Sequence, residues 1–184
     1  MPSARYQWFK GVLFALLAAD ALWYLHAGAL GKGMDATAWL VLLALFELET
    51  GYGERLRARF ARGAVRAIRF LAAAAVVATA VGYAYDNQSL DAVNSALWIG
   101  VVALLEFEVR YSGALTRHRG WFAASAAALY LALAILVVIW AWRGEWFDAY
   151  DALLWLIAFM TIELGVLRFA FGHSRNTRSG ALQP

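Results

Sequence analysis

One tryptophan–glutamate spacing occurs three times in this chain, each time inside an apolar stretch of helix length. The copies are Asp35…Trp39…Glu47, Asn94…Trp98…Glu106 and Asp151…Trp155…Glu163. The Trp-to-Glu offset is eight residues in every copy, and the Asp/Asn-to-Trp offset is four. An aromatic stands 11 residues before each Asp/Asn, at Tyr24, Tyr83 and Trp140. The copies begin 59 and then 57 residues apart. A fixed period of this length marks a repeat architecture, so the chain is expected to build one unit three times.

The medium around that unit follows from composition. Of the 184 residues, 63% are hydrophobic, and the mean hydropathy is +0.59. That is too apolar for a soluble domain of this size. Six apolar segments approach the roughly 20 residues a spanning helix needs, over about 9–30, 36–53, 65–86, 90–111, 120–142 and 147–170. The expected fold is therefore all-α, a polytopic membrane bundle of six transmembrane helices. It is built from three two-helix repeats at about 9–53, 65–111 and 120–170. Residues 1–172 form one domain, and 173–184 a polar cytoplasmic tail. The basic start and small-residue Ala27-Gly28-Ala29 stretch resemble a signal peptide. Asp20 interrupts that apolar run, and the segment fills the same place in its repeat as segments three and five, so a spanning helix is expected instead.

Charge sets the orientation. Fourteen of the 16 Lys and Arg residues fall at the two ends and in the even-numbered turns, leaving Lys32 and Arg143 on the other side. Short loops with this bias place the basic side in the cytoplasm, so both termini are expected there. The opposite loops carry Asp35, Asp86, Asp91, Glu145, Asp148 and Asp151. The net charge of +3 then describes a rim facing anionic lipid headgroups. It offers no basic domain for nucleic acid. The Ala- and Arg-rich composition fits a bacterial inner membrane.

Within each repeat, Asp35, Asn94 and Asp151 are expected to open the returning helix and cap its free N–H groups. Small residues at Ala36, Ser95 and Ala152, 11 positions before each Glu, would let helices approach closely. The glutamate-bearing helices are expected to face inward.

An ionisable side chain in a spanning helix is a functional candidate. Glu47, Glu106 and Glu163 recur at one phase, and by helix rise they sit about 18 Å below the Asp/Asn level. Gathered on an axis, they would share protons or hold a small cation. The structural alternative pairs each with a helix neighbour, as Arg110 is spaced to pair with Glu106. Glu49 and Glu108 lie two residues further on, on another helix face, and are expected to pair with rim arginines. Asp20, matched by Thr79 and Leu136 in the other copies, is either a specific inner-facing site or, as the favoured expectation, a group near the outer interface bonded to a Tyr or Trp. Arg55, Arg57, Arg59, Arg62, Arg66 and Arg69, interleaved with apolar residues, read as an amphipathic surface helix that docks on lipid or on a partner protein.

Several chemistries find no support. The chain has no cysteine, which removes disulfides, thiolate metal sites and thiol catalysis. His26, His118 and His173 do not cluster, so no metal site is expected. There is no HExxH, no G-x-S-x-G and no phosphate-binding Gly loop, and Ser95, Ser112 and Ser125 lack plausible His and Asp partners. The chain is therefore expected to be no enzyme and to need no cofactor. The leading expectation is a proton or small-cation pathway or sensor. The alternative is a non-catalytic scaffold or accessory subunit, with a membrane protein or a second copy of itself as partner.

Overall fold

Spacing of the apolar residues dictates helix throughout, and no proline interrupts it, since Pro2 and Pro184 are the only two. A computed structural model describes residues 4–52, 59–110 and 112–161, with side chains over 6–49, 63–107 and 120–161. Six helices result: α1 (Ala4–His26), α2 (Leu30–Tyr52), α3 (Arg59–Tyr85), α4 (Ser89–Arg110), α5 (Ser112–Trp142) and α6 (146–161). Four contain stretches long and apolar enough to cross a membrane, at Tyr6–His26, Gly63–Tyr85, Ser89–Phe107 and Gly120–Trp142. Helix α2 carries Lys32, Asp35, Glu47 and Glu49. The expected tail, 173–184, lies outside the described residues.

Three turns of one design join α1 to α2, α3 to α4 and α5 to α6. Each contains one residue with positive φ: Gly28 (79°), Asn87 (58°) and Gly144 (80°). The N–H that follows it donates to the carbonyl of the aromatic five residues back. These bonds are Ala29 to Tyr24 at 3.0 Å, Gln88 to Tyr83 at 2.9 Å and Glu145 to Trp140 at 2.9 Å. This is the Schellman helix end, which favours Gly or Asn at the left-handed position. The chain turns back at once, so α2 and α4 begin at Leu30 and Ser89, and α6 at residue 146. The expectation that Asp35, Asn94 and Asp151 are N-caps is therefore corrected. They lie inside their helices, more than a turn past the start, and their side chains are available for tertiary contacts.

The amphipathic helix expected over 54–69, leading into the third segment, is continuous with that segment where it is described, and residues 54–58 lie outside the described part. From Arg59 onward those residues belong to α3, which continues through Gly63 as one helix. A lone glycine costs about 1 kcal/mol of helix propensity, and this one stands among Ala and Arg residues, which are strong helix formers.

Successive helices pack against one another from α1 to α5. Helices α5 and α6 share a core of Leu136, Trp140, Ala149 and Ala152. Helix α6 returns to α1, where the Tyr24 and Phe147 rings meet edge to face at 5.0 Å. The inward stripe of α1 holds Leu13, Leu17, Asp20, Ala21 and Tyr24. Val76 and Tyr83 on α3, and Leu133 and Trp140 on α5, are buried at the same register as Leu17 and Tyr24. The even helices meet where Trp39, Trp98 and Trp155 surround Phe159, with ring centroids 6.3, 4.7 and 6.4 Å away. The small residues Ala36, Ser95 and Ala152 are buried just above that layer.

The outside is apolar along its length, with Leu16, Leu22, Leu71, Val77, Leu131, Ile135 and Val138 all exposed. Exposed aromatics flank this belt. Trp23, Tyr85, Trp142 and Trp146 lie at the hairpin end, where the three turns are, and Trp8 and Trp121 at the opposite end. Helix rise places Trp8 about 22 Å from Trp23 and Trp121 about 32 Å from Trp142. Those spans bracket a hydrocarbon core about 30 Å thick, with amphipathic rings at both interfaces. Helices of this kind are those of a membrane protein.

Candidate functional site

At the hairpin end the repeat positions converge. A small chamber of about 30 Å³ opens there, and all six helices line it. By volume it holds on the order of two waters. Tyr24, Tyr83 and Trp140 form its sides, from α1, α3 and α5. Three levels descend along the even helices. The first is Lys32, Asp91 and Asp148, the second Asp35, Asn94 and Asp151, and the third Trp39, Trp98 and Trp155 with Phe159. Offsets of three, four and seven residues keep these positions on one helix face, which is why the levels stack.

The top level is a charged clamp. Lys32 Nζ lies 2.8 Å from Asp148 Oδ1 and 3.2 Å from Asp91 Oδ1. The Tyr24 hydroxyl donates to the same Asp148 oxygen at 2.7 Å. Lys32 stands at the helix start, ahead of the apolar part of α2. Burial alone would lower its pKa, but its hydrogen bond to Asp148 and the charges of Asp91 and Asp148 outweigh that and hold it above the usual lysine value. The clamp is thus an ammonium, charged at neutral pH, shared by two carboxylates from different helices.

The second level touches the odd helices at three seams. Between α3 and α2, Thr79 Oγ1 donates to Asp35 Oδ1 at 2.8 Å. That hydroxyl also lies 3.1 and 3.0 Å from the carbonyls of Ala75 and Val76. It has a single hydrogen, and the carboxylate is both its nearest and its most strongly accepting partner. Between α1 and α6, the Asp20 and Asp151 carboxyls are neighbours. Asp20 is 3% exposed. Neither of its oxygens, nor Asp151 Oδ1, meets an N–H or O–H donor among the described residues. The expected bond from Asp20 to a Tyr or Trp is therefore corrected. Tyr24 sits one turn further along the same helix and reaches Asp148 instead. At the α5–α4 seam the matching positions are Leu136 and Asn94, and Asn94 Oδ1 and Trp140 Nε1 are buried without a partner among the described residues.

The glutamates lie toward the other end. Glu47, half-buried, forms an ion pair with Lys10 of α1. Glu106 is exposed on α4. Glu163 lies outside the described residues. Glu49 pairs with Arg69 Nη2 at 2.5 Å, both well exposed. Arg66 is exposed on α3. The side chains of Glu108, Arg110, Arg59 and Arg62, and residues Arg55 and Arg57, fall outside the described part. Among the described residues, no three His, Asp or Glu side chains gather with metal-holding spacing.

Lys32, Asp91 and Asp148 were not singled out from the sequence, although a signal was present. Each precedes the Asp/Asn position by three residues, so all three share its helix face. In comparisons with known proteins, no family model, no curated protein and no solved structure matches the chain. The geometry alone therefore supports the functional reading.

Proposed function

We propose that this protein is a six-span membrane protein, with both termini in the cytoplasm, that takes up or senses a proton or small cation at the hairpin-end chamber. The observation that carries the reading is the gathering of Asp35, Asp91, Asp148 and Asp151 around one small chamber that holds a single lysine. Burying so much like charge is costly, and it is maintained in membrane helices where a charged species is handled. The chamber volume admits a proton with its water, or a small ion, and excludes an organic substrate. The lack of a metal-ligand cluster among the described residues and the Lys32 ammonium already seated between Asp91 and Asp148 favour a proton over a divalent metal.

In this reading the three repeats form a pseudo-threefold bundle with the chamber on the outer side of a bacterial inner membrane. Glu47, Glu106 and Glu163 act as secondary acids on the cytoplasmic side, with Glu47 held by Lys10 away from the bundle axis. The Trp39, Trp98, Trp155 and Phe159 layer separates the two stations, about 12 Å above the glutamates by helix rise. Sensing needs no passage through that layer, whereas conduction requires its rings to move. No catalytic step or cofactor is involved.

The test uses the full chain in liposomes that enclose a pH-reporting dye, with tryptophan fluorescence recorded in parallel. Trp39, Trp98 and Trp155 border the chamber, so occupancy changes alter their emission. A response to an outside pH step is expected in the wild type. It is expected to be lost in Asp148→Asn and reduced in the Glu47→Gln, Glu106→Gln, Glu163→Gln triple variant, with the fold retained. A wild type that neither passes protons nor changes emission with pH or with sodium or potassium would sink this reading. The second reading, a scaffold docking an acidic partner through its arginines, is motivated by the exposed Arg66 and Arg69. It gains ground if the glutamine variants alter assembly and leave every ion response intact.

A further inference from the structure

We propose that Asp20 and Asp151 bind one proton between them, at the seam where α1 meets α6. This deepens the proton reading above by naming the residues that hold the proton.

The argument compares equivalent seams. Asp20 and Thr79 occupy the same position in their repeats, four residues before Tyr24 and Tyr83. Asp151 and Asp35 likewise match, four residues before Trp155 and Trp39. At the α3–α2 seam the hydroxyl of Thr79 supplies the hydrogen that the Asp35 carboxylate accepts. At the α1–α6 seam a carboxyl takes the place of that hydroxyl, and two ionised carboxylates have no hydrogen to offer each other. Asp20 is 3% exposed and no donor reaches either of its oxygens among the described residues. A proton on one carboxyl restores the missing donor and removes one of two adjacent buried charges. It belongs to the pair and not to one residue.

The surrounding charges press the same way. Asp148 and Asp35 act on the pair as negative neighbours, and the Tyr24 and Tyr83 hydroxyls face it as weak acids. The nearby cation, Lys32, is committed to Asp91 and Asp148.

Infrared spectroscopy of the full chain in lipid, in H₂O and D₂O near neutral pH, tests this. A deuterium-sensitive carboxylic-acid carbonyl band is expected in the wild type and lost in Asp20→Asn, whose amide donates to Asp151 without titrating. Asp20→Thr, which copies the α3–α2 seam, is expected to fold and to lose the band as well. A wild type with no such band overturns the proposal without reference to any variant. So does a band that persists in a folded Asp20→Asn or Asp20→Thr protein. If the band behaves as expected but liposomes show no response to pH, the functional reading fails and the shared proton stands.

Discussion

The two ends of the molecule handle charge in opposite ways. At the hairpin end, polar and aromatic side chains from all six helices turn toward a single chamber. At the other end, the described acids pair across neighbouring helices, Glu47 with Lys10 and Glu49 with Arg69, with no common meeting point between those pairs. Both ends descend from the same spacing, so repetition alone does not produce convergence. It fixes equal register, and the angle around the helix decides what meets. Lys32, Asp35 and Trp39 fall within about 60° of one another at 100° per residue, whereas a Glu eight residues beyond Trp has rotated about 80° from it. Once the tryptophans point to the axis, Glu47 swings toward the α1 side, where Lys10 lies.

The largest effect that tests this contrast is expected from the layer that sets the axis. Trp98→Ala removes the ring 4.7 Å from Phe159 and should cost roughly 3–5 kcal/mol, read as a lower unfolding midpoint in detergent. Trp23→Ala, at an exposed position, should change that midpoint little. A similar loss at both positions would erase the distinction between axis and surface.

Next comes the clamp. Lys32→Met strands Asp91 and Asp148 and should destabilise by about 2 kcal/mol. A double-mutant cycle with Asp148→Asn should return a clear coupling. The raised Lys32 pKa fixes the pH dependence. The contribution is full below the unfolded-state pKa of lysine, and it fades only as pH rises through the higher folded-state value. Stability lost between pH 6 and 8 and traceable to Lys32 would contradict the clamp.

A smaller change is expected at the α3–α2 seam. Thr79→Val deletes the donor to Asp35 and should cost about 1 kcal/mol, while Thr79→Ser should retain most of it. The smallest belongs to the opposite end. Glu49→Gln breaks an exposed pair and should cost about 0.5 kcal/mol or less, vanishing in high salt. If Glu49→Gln cost as much as Lys32→Met, the two ends would not differ as described.

Much of the fold was legible in the residues. The fixed interval from Tyr24, Tyr83 and Trp140 to the Asp/Asn positions foretold turns of one length, and Gly28, Asn87 and Gly144 occupy the left-handed position those turns require. The cap reading failed because an Asp near a helix start looks like a cap whatever the turn does, and here a Schellman ending starts the helix earlier. The chamber was only half legible. Its aromatic layer and its Asp/Asn level were in view, but Lys32, Asp91 and Asp148 looked like loop charges because their helices begin sooner than expected. Asp20 could be recognised as the odd member of its set. Its neighbour Asp151 lies 131 positions along the chain, and no local pattern encodes a contact of that range.

That separation bears on how the protein is made. Helix α1 is synthesised well before α6, so Asp20 waits through the making of four further helices before the side chain it will adjoin exists. Among the six helices, the joint completed latest is thus the one carrying the two acids, and a chain halted before α5 would leave Asp20 without the carboxyl it adjoins.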